Sequence, residues 1–421
     1  MIKHILKHIW NQRGKNIWII LELFMVFVIL WYVVDFFSVM SITSRTPMGV
    51  EYNNVYRVIL ATKKADNPNY ITYEDHSEEP GKNFLRIINT LRSHPEIESV
   101  CIGEGFYPYC GSSSLHGYKK DSLKTQTLIY RVIPEYFKMF NVLPINGSSP
   151  EVFERIIQED NAIIFSKKAN EDLFGTKNGT GERIYLNGND SIGTILSGVT
   201  HEMKRHEYDR PISLVILPFK ESSLLSKPEG KIWNSTDICI KTKPGISPYD
   251  FPHRFQETMK QQLAIGNYFL TDIRPISKDR EVFLKSYGIT STLNYRIGIG
   301  IFFLINIFLG VLGTFWLRIE KRKGEIGLRM SVGSTQSQIM KLMLMESLCM
   351  LAIASVPALL VCVNLAYLDA ISTQYMDITV QRFLLNTLLT YVLLVIVIAL
   401  SIWYPAKRSA TIQPAEALHY E

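Results

Sequence analysis

Four long apolar runs divide this chain of 421 residues. They cover residues 17–39, 297–317, 342–366 and 383–404. Because about 20 apolar residues in a helix are enough to cross a hydrocarbon core of about 30 Å, each run predicts a transmembrane helix. The third run contains Pro357, which neighbouring helices in a membrane bundle can accommodate. The chain is therefore predicted to be an α-helical membrane protein with four transmembrane helices.

Lysine and arginine residues cluster beside these runs and predict the orientation of the chain. They are frequent in the N-terminal segment, after the second run and in the tail, whereas the segment between the third and fourth runs has only Arg382, at its edge. The positive-inside rule therefore places both termini in the cytoplasm and residues 41–290 outside. The net charge of +6 is explained by a membrane surface, and no nucleic-acid partner is expected.

The first run could also be a cleavable signal peptide, because basic residues precede it. It is longer than the apolar segment of a signal peptide, and no cleavage site with small residues follows it. We therefore interpret it as a span. Glu22, Asp35 and Glu346 lie within apolar runs near the predicted membrane edges. At such positions snorkelling or an interhelical hydrogen bond is favoured over a proton relay.

The insert between the first two spans has the mixed pattern of an aqueous domain. A strand, a helix and a strand are predicted at 55–60, 83–92 and 98–103, and the same order returns at 236–241, 248–263 and 268–274. Strands predicted between these halves lie at 127–133, 162–165, 183–186, 194–199 and 212–218. The sequence therefore predicts an α+β extracytoplasmic domain with two βαβ-like halves and a β-rich subdomain.

A helical stalk is predicted to join this domain to the second span. No proline occurs between residues 277 and 322, and the helical pattern of Phe283 and Tyr287 leads into the span with only Gly288 as a weak point. One continuous helix of about 40 residues would be about 60 Å long, twice the thickness of the hydrocarbon core. The alternative is a break at Gly288 with a flexible linker, since an interior glycine costs a helix about 1 kcal/mol.

Residue types that carry chemistry are sparse in this chain. Of its five cysteines, Cys101 and Cys110 are candidates for a disulfide, and whether they pair is left open. The segment HEMKRH, which begins at His201 and ends at His206, is one residue too long for a zinc-binding HExxH motif, and both histidines are expected to be exposed. No catalytic, cofactor-binding or metal-binding residue is predicted, so we expect a non-catalytic membrane subunit.

The segment after the second span carries the most specific motif. It reads EIGLRMSVGS from Glu325 to Ser334, and it resembles the EIG-(I/L)-R-x-x-(V/L)-G-(A/S) segment of MacB/FtsX-like permeases of ABC transporters. Residues 404–418 resemble the family ending P-A-x-x-A…P-x-E-A-L, and residues 132–140 and 164–174 are similar to the periplasmic core of the family. The resemblance implies ATPase-coupling residues at Glu325, Ile326, Gly327, Leu328, Arg329 and Gly333.

The resemblance also implies a partner that hydrolyses ATP. MacB itself carries a nucleotide-binding domain, whereas this chain starts at the first span, and none of its Gly-Lys pairs is followed by the Ser or Thr of a phosphate-binding loop. We therefore expect no fused nucleotide-binding domain and no cofactor in this chain, with ATP and Mg²⁺ bound by a separate ABC ATPase dimer. A second copy of the chain or a related permease is expected beside it in the lipid bilayer. The presence of a periplasmic adaptor is left open.

The family resemblance implies mechanotransmission, as in type VII ABC transporters. The expected function is a permease subunit that couples ATP hydrolysis to movements of a periplasmic domain, for export of a peptide, antibiotic, lipid or lipoprotein. The alternative within the family is an FtsX-like transmitter that activates a cell-wall hydrolase or sensor without transport. A receptor without an ATPase and a membrane enzyme are the alternatives from other classes.

The chain is predicted to lie in a bacterial inner membrane and to have six segments. They are the N-terminus with the first span (1–46), the periplasmic domain (47–276), the stalk helix with the second span (277–317), the cytoplasmic coupling loop (318–341), the third and fourth spans (342–404) and the cytoplasmic tail (405–421).

Overall fold

A computed structural model describes Lys7 and residues 9–111, 114–187, 189–368, 371 and 373–409. The chain divides into two compact units. The membrane unit combines Met1–Thr43 with Thr290–Glu421, and the soluble unit is Ser44–Ile289. The soluble unit is thus larger than the predicted segment 47–276, because it also contains the residues predicted to form the stalk.

The helices are α1 (Arg13–Arg45), α2 (Glu79–Arg92), α3 (Glu135–Met139), α4 (Glu151–Ile156), α5 (Lys167–Phe174), α6 (Glu229–Ser235), α7 (Phe251–Met259), α8 (Ile276–Ser286), α9 (Ile289–Lys321), α10 (Lys323–Ser331), α11 (Gln336–Tyr367) and α12 (Val380–Ser409). The strands are β1 (Val55–Thr62), β2 (Ile97–Glu104), β3 (Leu115–Lys120), β4 (Leu123–Val132), β5 (Ile164–Phe165), β6 (Arg183–Leu186), β7 (Asn189–Ile195), β8 (Gly198–Val199), β9 (Leu214–Pro218), β10 (Asp237–Thr242) and β11 (Tyr268–Pro275). A 3₁₀ helix covers Glu221–Ser226.

The membrane unit confirms the four predicted spans. Helices α1, α9, α11 and α12 contain candidate spans of 24 to 33 residues with mean hydropathy between 2.3 and 2.6, among the described residues. Large side chains such as Phe27 and Trp31 are buried between the helices, and the indole of Trp31 donates a hydrogen bond to Thr387 Oγ1 at 3.2 Å. Many other large apolar side chains of these helices are exposed, as lipid-facing residues are.

The soluble unit is an α+β domain built on one large sheet. Its first part has the strand order β11-β1-β10-β2, and every neighbouring pair in it is antiparallel. Both predicted βαβ halves are present, but they interleave, because β10 lies between β1 and β2 while β1 lies between β10 and β11. This is a split βαβ arrangement.

Helix α2 shows why this part of the sequence folds as predicted. Its apolar residues Phe84, Ile87, Ile88 and Leu91 recur at helical spacing, and all are at most 2% exposed. Phe84 meets Tyr268 of β11 edge to face, with ring centroids 5.7 Å apart. The period of the sequence therefore determines which face of α2 packs on the core.

The β-rich part continues the sheet through β4, β3, β6 and β7, with β9, β5 and β8 beside β4. The predicted strands 127–133, 183–186 and 212–218 correspond to β4, β6 and β9. Strand β3 was not predicted, and the predicted strand 194–199 is divided between the end of β7 and β8. A separate apolar cluster that includes Phe165 and Val215 forms the core of this part.

The expectation of one continuous stalk helix is wrong. Helix α8 ends at Ser286 and α9 begins at Ile289, and Gly288 between them has a φ of +68°. The amide of Tyr287 still donates to the carbonyl of Phe283 at 2.9 Å, after which the left-handed residue ends the helix. Glycine adopts this conformation without steric cost, so Gly288 acts as a helix stop and not only as a weak point.

Candidate coupling site

The predicted coupling residues lie on a short helix, α10, between two long ones. Arg322 has non-helical φ and ψ of −109° and 12°, which separates α10 from α9. At the other end Gly333 has a φ of +100°, and Thr335 and Gln338 form a capping box that starts α11. Glycine in the left-handed region and a Thr-x-x-Gln capping box are local signals for a helix end and a helix start. The segment is therefore a defined nine-residue helix.

Helix α10 buries one apolar side chain and exposes another. Ile326 is 4% exposed and belongs to the core of the membrane unit, whereas Leu328 is 58% exposed. Val332, which follows the helix, is 82% exposed. Since α10 lies outside the candidate spans, these exposed apolar side chains are not explained by lipid contact alone.

Glu325 is held by two arginines. Arg322 donates to its two carboxylate oxygens at 2.9 and 3.1 Å, and Arg329 donates to one of them at 2.8 Å. The hydrogen bonds from Arg322 lower the pKa of Glu325 to about 2. Glu325 is therefore ionised at physiological pH, and the first and second turns of α10 are joined to Arg322 just before it.

A second carboxylate connects Arg322 to the long helices of the membrane unit. Glu346 of α11 accepts hydrogen bonds from Arg318 of α9 and from Arg322, each at 2.6 Å. Arg318 also donates to Asn16 of α1 at 3.2 Å. The side chain of Glu346 is 5% exposed, so both of its oxygens are satisfied by guanidinium groups and not by solvent. We call Arg318, Arg322, Glu325, Arg329 and Glu346 the coupling network.

Sequence reasoning found only part of this network. Arg318 and Arg322 were assigned to topology, and for Glu346 either snorkelling or an interhelical hydrogen bond was expected. The position of Glu346 within an apolar run was the available signal, because such a carboxylate needs a partner. The partner's identity was not readable, since Arg318 and Arg322 lie 28 and 24 residues away in the sequence.

The two other acids of the apolar runs also form interhelical hydrogen bonds, which confirms the structural interpretation of these residues. Asp35 of α1 forms a bidentate ion pair with Arg382 of α12 at 2.8 and 2.6 Å, and it accepts from Asn386 at 2.6 Å. Glu22 accepts from Thr314 of α9 at 2.8 Å.

The predicted stalk residues Phe283 and Tyr287 anchor α8 within the soluble unit. Their rings stack with centroids 4.4 Å apart, and the hydroxyl of Tyr287 donates to the carbonyl of Gly111 at 3.0 Å. The ring of His206 lies 5.7 Å from that of Phe283, and His206 is 8% exposed. The expectation that His206 is exposed is therefore wrong. Its burial lowers the pKa of the imidazole.

The remaining candidates for chemistry stay separate. All five cysteines are free, and Cys101 lies opposite Cys239 on neighbouring strands, not beside Cys110 in a disulfide. Among the described residues, no group of three His, Cys, Asp or Glu side chains could hold a metal ion. The predicted family ending after Ser409 lies outside the described residues.

Comparisons with known proteins bear on the same segments. A family profile described as FtsX-like permease C-terminal matches residues 297–414, which include α10 and the coupling network. The macrolide export ATP-binding/permease protein MacB of Salmonella choleraesuis is 22% identical over 293 residues, covering 67% of this chain and 42% of that protein. MacB of Escherichia coli K12 gives the same identity and coverage. The chain thus aligns with less than half the length of the curated relatives it matches.

Two solved structures are similar to part of the chain. The periplasmic region of MacB from Actinobacillus actinomycetemcomitans is 14% identical and covers 53% of this chain and 90% of its own, with a TM-score of 0.32. The extracellular domain of the noncanonic ABC-type transporter YknZ from Gram-positive bacteria is 15% identical and covers 51% of this chain and 100% of its own, with a TM-score of 0.31.

The C-terminal permease match thus occurs in a chain with four candidate spans and an α+β domain inserted after the first of them. The four candidate spans indicate a membrane protein, and the curated relatives that it resembles are bacterial. Residues 297–414 match the FtsX-like permease C-terminal family, and the chain is similar to the MacB proteins.

Proposed function

We propose that this chain couples ATP hydrolysis by a separate ABC ATPase to movements of its soluble unit, and that these movements export a substrate. The observation that supports this proposal best is α10 itself. It exposes Leu328 and carries Glu325 and Arg329, while Arg322 and Glu346 connect it to the long helices. A surface that receives force needs both an exposed contact and a stiff connection behind it.

The coupling network provides the stiff connection. When the ATPase dimer closes on ATP, it displaces α10, and the ion pairs of Glu346 with Arg318 and Arg322 resist separation because they are largely shielded from water. The displacement therefore passes from Arg322 to Glu346 on α11. From Glu346 it passes to Arg318 on α9. Among the family mechanisms, this is a rigid-element transmission and not a local unfolding.

The proposal includes the expected partners and orientation. ATP and Mg²⁺ are bound by the ATPase dimer, and two permease chains act together, either as a homodimer or with a related chain. Both termini and α10 face the cytoplasm, while the soluble unit is periplasmic. The relatives are macrolide export ATP-binding/permease proteins, and this favours export over signal transmission without transport.

The test is to reconstitute the chain in lipid vesicles with the ABC ATPase that co-purifies with it. Glu325→Gln and Arg329→Gln should leave ATP hydrolysis by the partner measurable but no longer dependent on the permease, because they remove the ion pair that orders α10. Lys260→Gln, at an exposed position just after α7 in the soluble unit, is the control and should keep coupling intact.

Two results would contradict the proposal. Unchanged coupling in both α10 variants would exclude α10 as the docking element. Coupled hydrolysis that activates a cell-wall hydrolase and moves no macrolide, peptide or lipid would favour the transmitter function.

A further inference from the structure

A cavity of about 220 Å³ lies within the membrane unit. Its walls come from the second half of α1, the first half of α9 and the residues before and at the start of α12. Phe36, Phe37, Ile299 and Phe303 supply much of the apolar lining. The cavity is therefore suited to a hydrocarbon group.

The cavity lies where the apolar part of the chain ends. Arg296, one of its lining residues, directly precedes the apolar run that starts at Ile297, and Asp35 lies four residues before the end of the first run. In a bilayer this is the level at which acyl chains meet headgroups. An occupant with an apolar and a polar part would thus be aligned with the surrounding lipid.

The charges around the cavity favour an anion. Asp35 and Arg382 both line it, but they neutralise each other through two hydrogen bonds of 2.8 and 2.6 Å. Arg296 rests on the ring of Phe36, with its guanidinium carbon 5.4 Å from the ring centroid. Within the described part of the chain, no carboxylate forms an ion pair with Arg296. One positive charge at the cavity is therefore left for a ligand.

We propose that this cavity binds an anionic phospholipid, with one acyl chain against Phe37 and Ile299 and the phosphate on Arg296. A peptide fits less well, since its backbone would bring polar groups to apolar walls whose buried charges already satisfy each other. A lipid brings a hydrocarbon chain to those walls and a phosphate to an unpaired guanidinium, which binds phosphate oxygens in a bidentate manner.

The test is a lipid titration of the full chain in detergent, followed by native mass spectrometry. Phosphatidylglycerol should bind more tightly than phosphatidylcholine of the same acyl composition. Arg296→Gln should weaken phosphatidylglycerol binding about fivefold, as expected for one basic residue at an anionic lipid surface, and should remove the headgroup preference. Lys341→Gln, a cation that does not line the cavity, should change neither.

The acyl site has its own pair of variants. Ile299→Trp fills the cavity and should weaken binding of both lipids about tenfold, the effect of losing contact with about two methylene groups. Ile301→Trp is the matched control, because Ile301 lies on the same helix, is 49% exposed and does not line the cavity. Thermal unfolding of each variant without added lipid checks that the bundle is intact.

Three results would overturn the proposal. Equal affinity of the wild-type chain for the two lipids would rule out a site for the anionic headgroup. Equal lipid binding by Ile299→Trp and Ile301→Trp would rule out a site for the acyl chain. Efficient disulfide cross-linking of Phe36→Cys between two copies in lipid vesicles would show that a second copy of the chain fills the cavity. None of these results depends on the ATPase, so they are independent of the proposed coupling.

Discussion

The carboxylate of Glu346 joins three parts of the membrane unit. It lies on α11 and accepts hydrogen bonds from Arg318 on α9 and from Arg322 next to α10. Burying these three charged groups has a large desolvation cost, which their mutual contacts offset only while all three are present. Removing the carboxylate would leave two guanidinium groups without their shared partner in a buried site.

This makes Glu346 and Glu22 an informative pair of substitutions. Glu346→Ala should lower the free energy of unfolding by about 3–5 kcal/mol, because it leaves buried charges unpaired. Glu22→Ala should cost much less, since Glu22 is contacted by the neutral hydroxyl of Thr314 and no charge is left behind. Thermal unfolding of both variants in the same detergent measures the difference, and equal losses would contradict this account of the network.

The low pKa of Glu325 predicts how its ion pairs depend on pH. Its pKa falls from 4.5 to about 2 because of the hydrogen bonds from Arg322, so the folded state binds its proton more weakly than the unfolded state. The stabilisation is therefore fully present above about pH 4.5 and is lost as the pH falls towards about 2. The stability difference between the wild type and Glu325→Gln should be constant from about pH 5 to 8 and shrink below that range. A difference that already declines between pH 8 and 5 would contradict the assignment.

Helix α10 and the break at Gly288 differ in how clearly the sequence marks the ends of a helix. The start of α11 was marked by Thr335 and Gln338, and the end of α10 by Gly333, all of them readable local motifs. Gly288 was readable as a weak point only, because an interior glycine costs a helix only about 1 kcal/mol, which other contacts can offset. Its left-handed conformation, and hence the separation of α8 from α9, became evident only from the structure.

The break predicts opposite behaviour for two glycines. Gly288→Ala should destabilise the protein by about 1 kcal/mol, because a Cβ disfavours a φ of +68°. Gly298→Ala, inside α9, should be neutral or stabilising, because an added Cβ meets no atom within 4 Å and alanine favours helix. Thermal unfolding of the two variants tests this. A stabilising Gly288→Ala would mean that α8 and α9 form one helix after all.

Strand β3 shows why a strand with few buried residues is difficult to predict from sequence. Of its six residues only Tyr118 is buried, and it contains Gly117 and two lysines, so neither alternation nor β propensity marks it. It is a strand because β4 and β6 hydrogen-bond to it on either side. Strands such as β1 and β10, each with four buried residues, were predicted close to their observed bounds.

For the whole molecule, the sequence predicted the four spans and the inserted α+β domain, but not the order of the strands in its sheet. Pairing between β1 and β10 joins Val55 to Lys241, and no local pattern records such a distant partner. The coupling network is non-local in the same way, since it joins α9, α10 and α11. The sequence therefore predicted the type of each segment, whereas the contacts between distant segments could be identified only from the structure.

Orientation is the property of the whole molecule on which the proposed coupling depends, and two exposed positions test it. Val332, beside α10, is 82% exposed, and Tyr249, in the soluble unit, is 92% exposed. Four native cysteines are buried and Cys349 is half-buried, so the wild-type chain gives a low labelling background. A membrane-impermeant maleimide should label Tyr249→Cys in spheroplasts and Val332→Cys only after permeabilisation, because basic residues retain their loops in the cytoplasm. If both positions react from the same side of the membrane, α10 cannot carry a cytoplasmic push to a periplasmic domain.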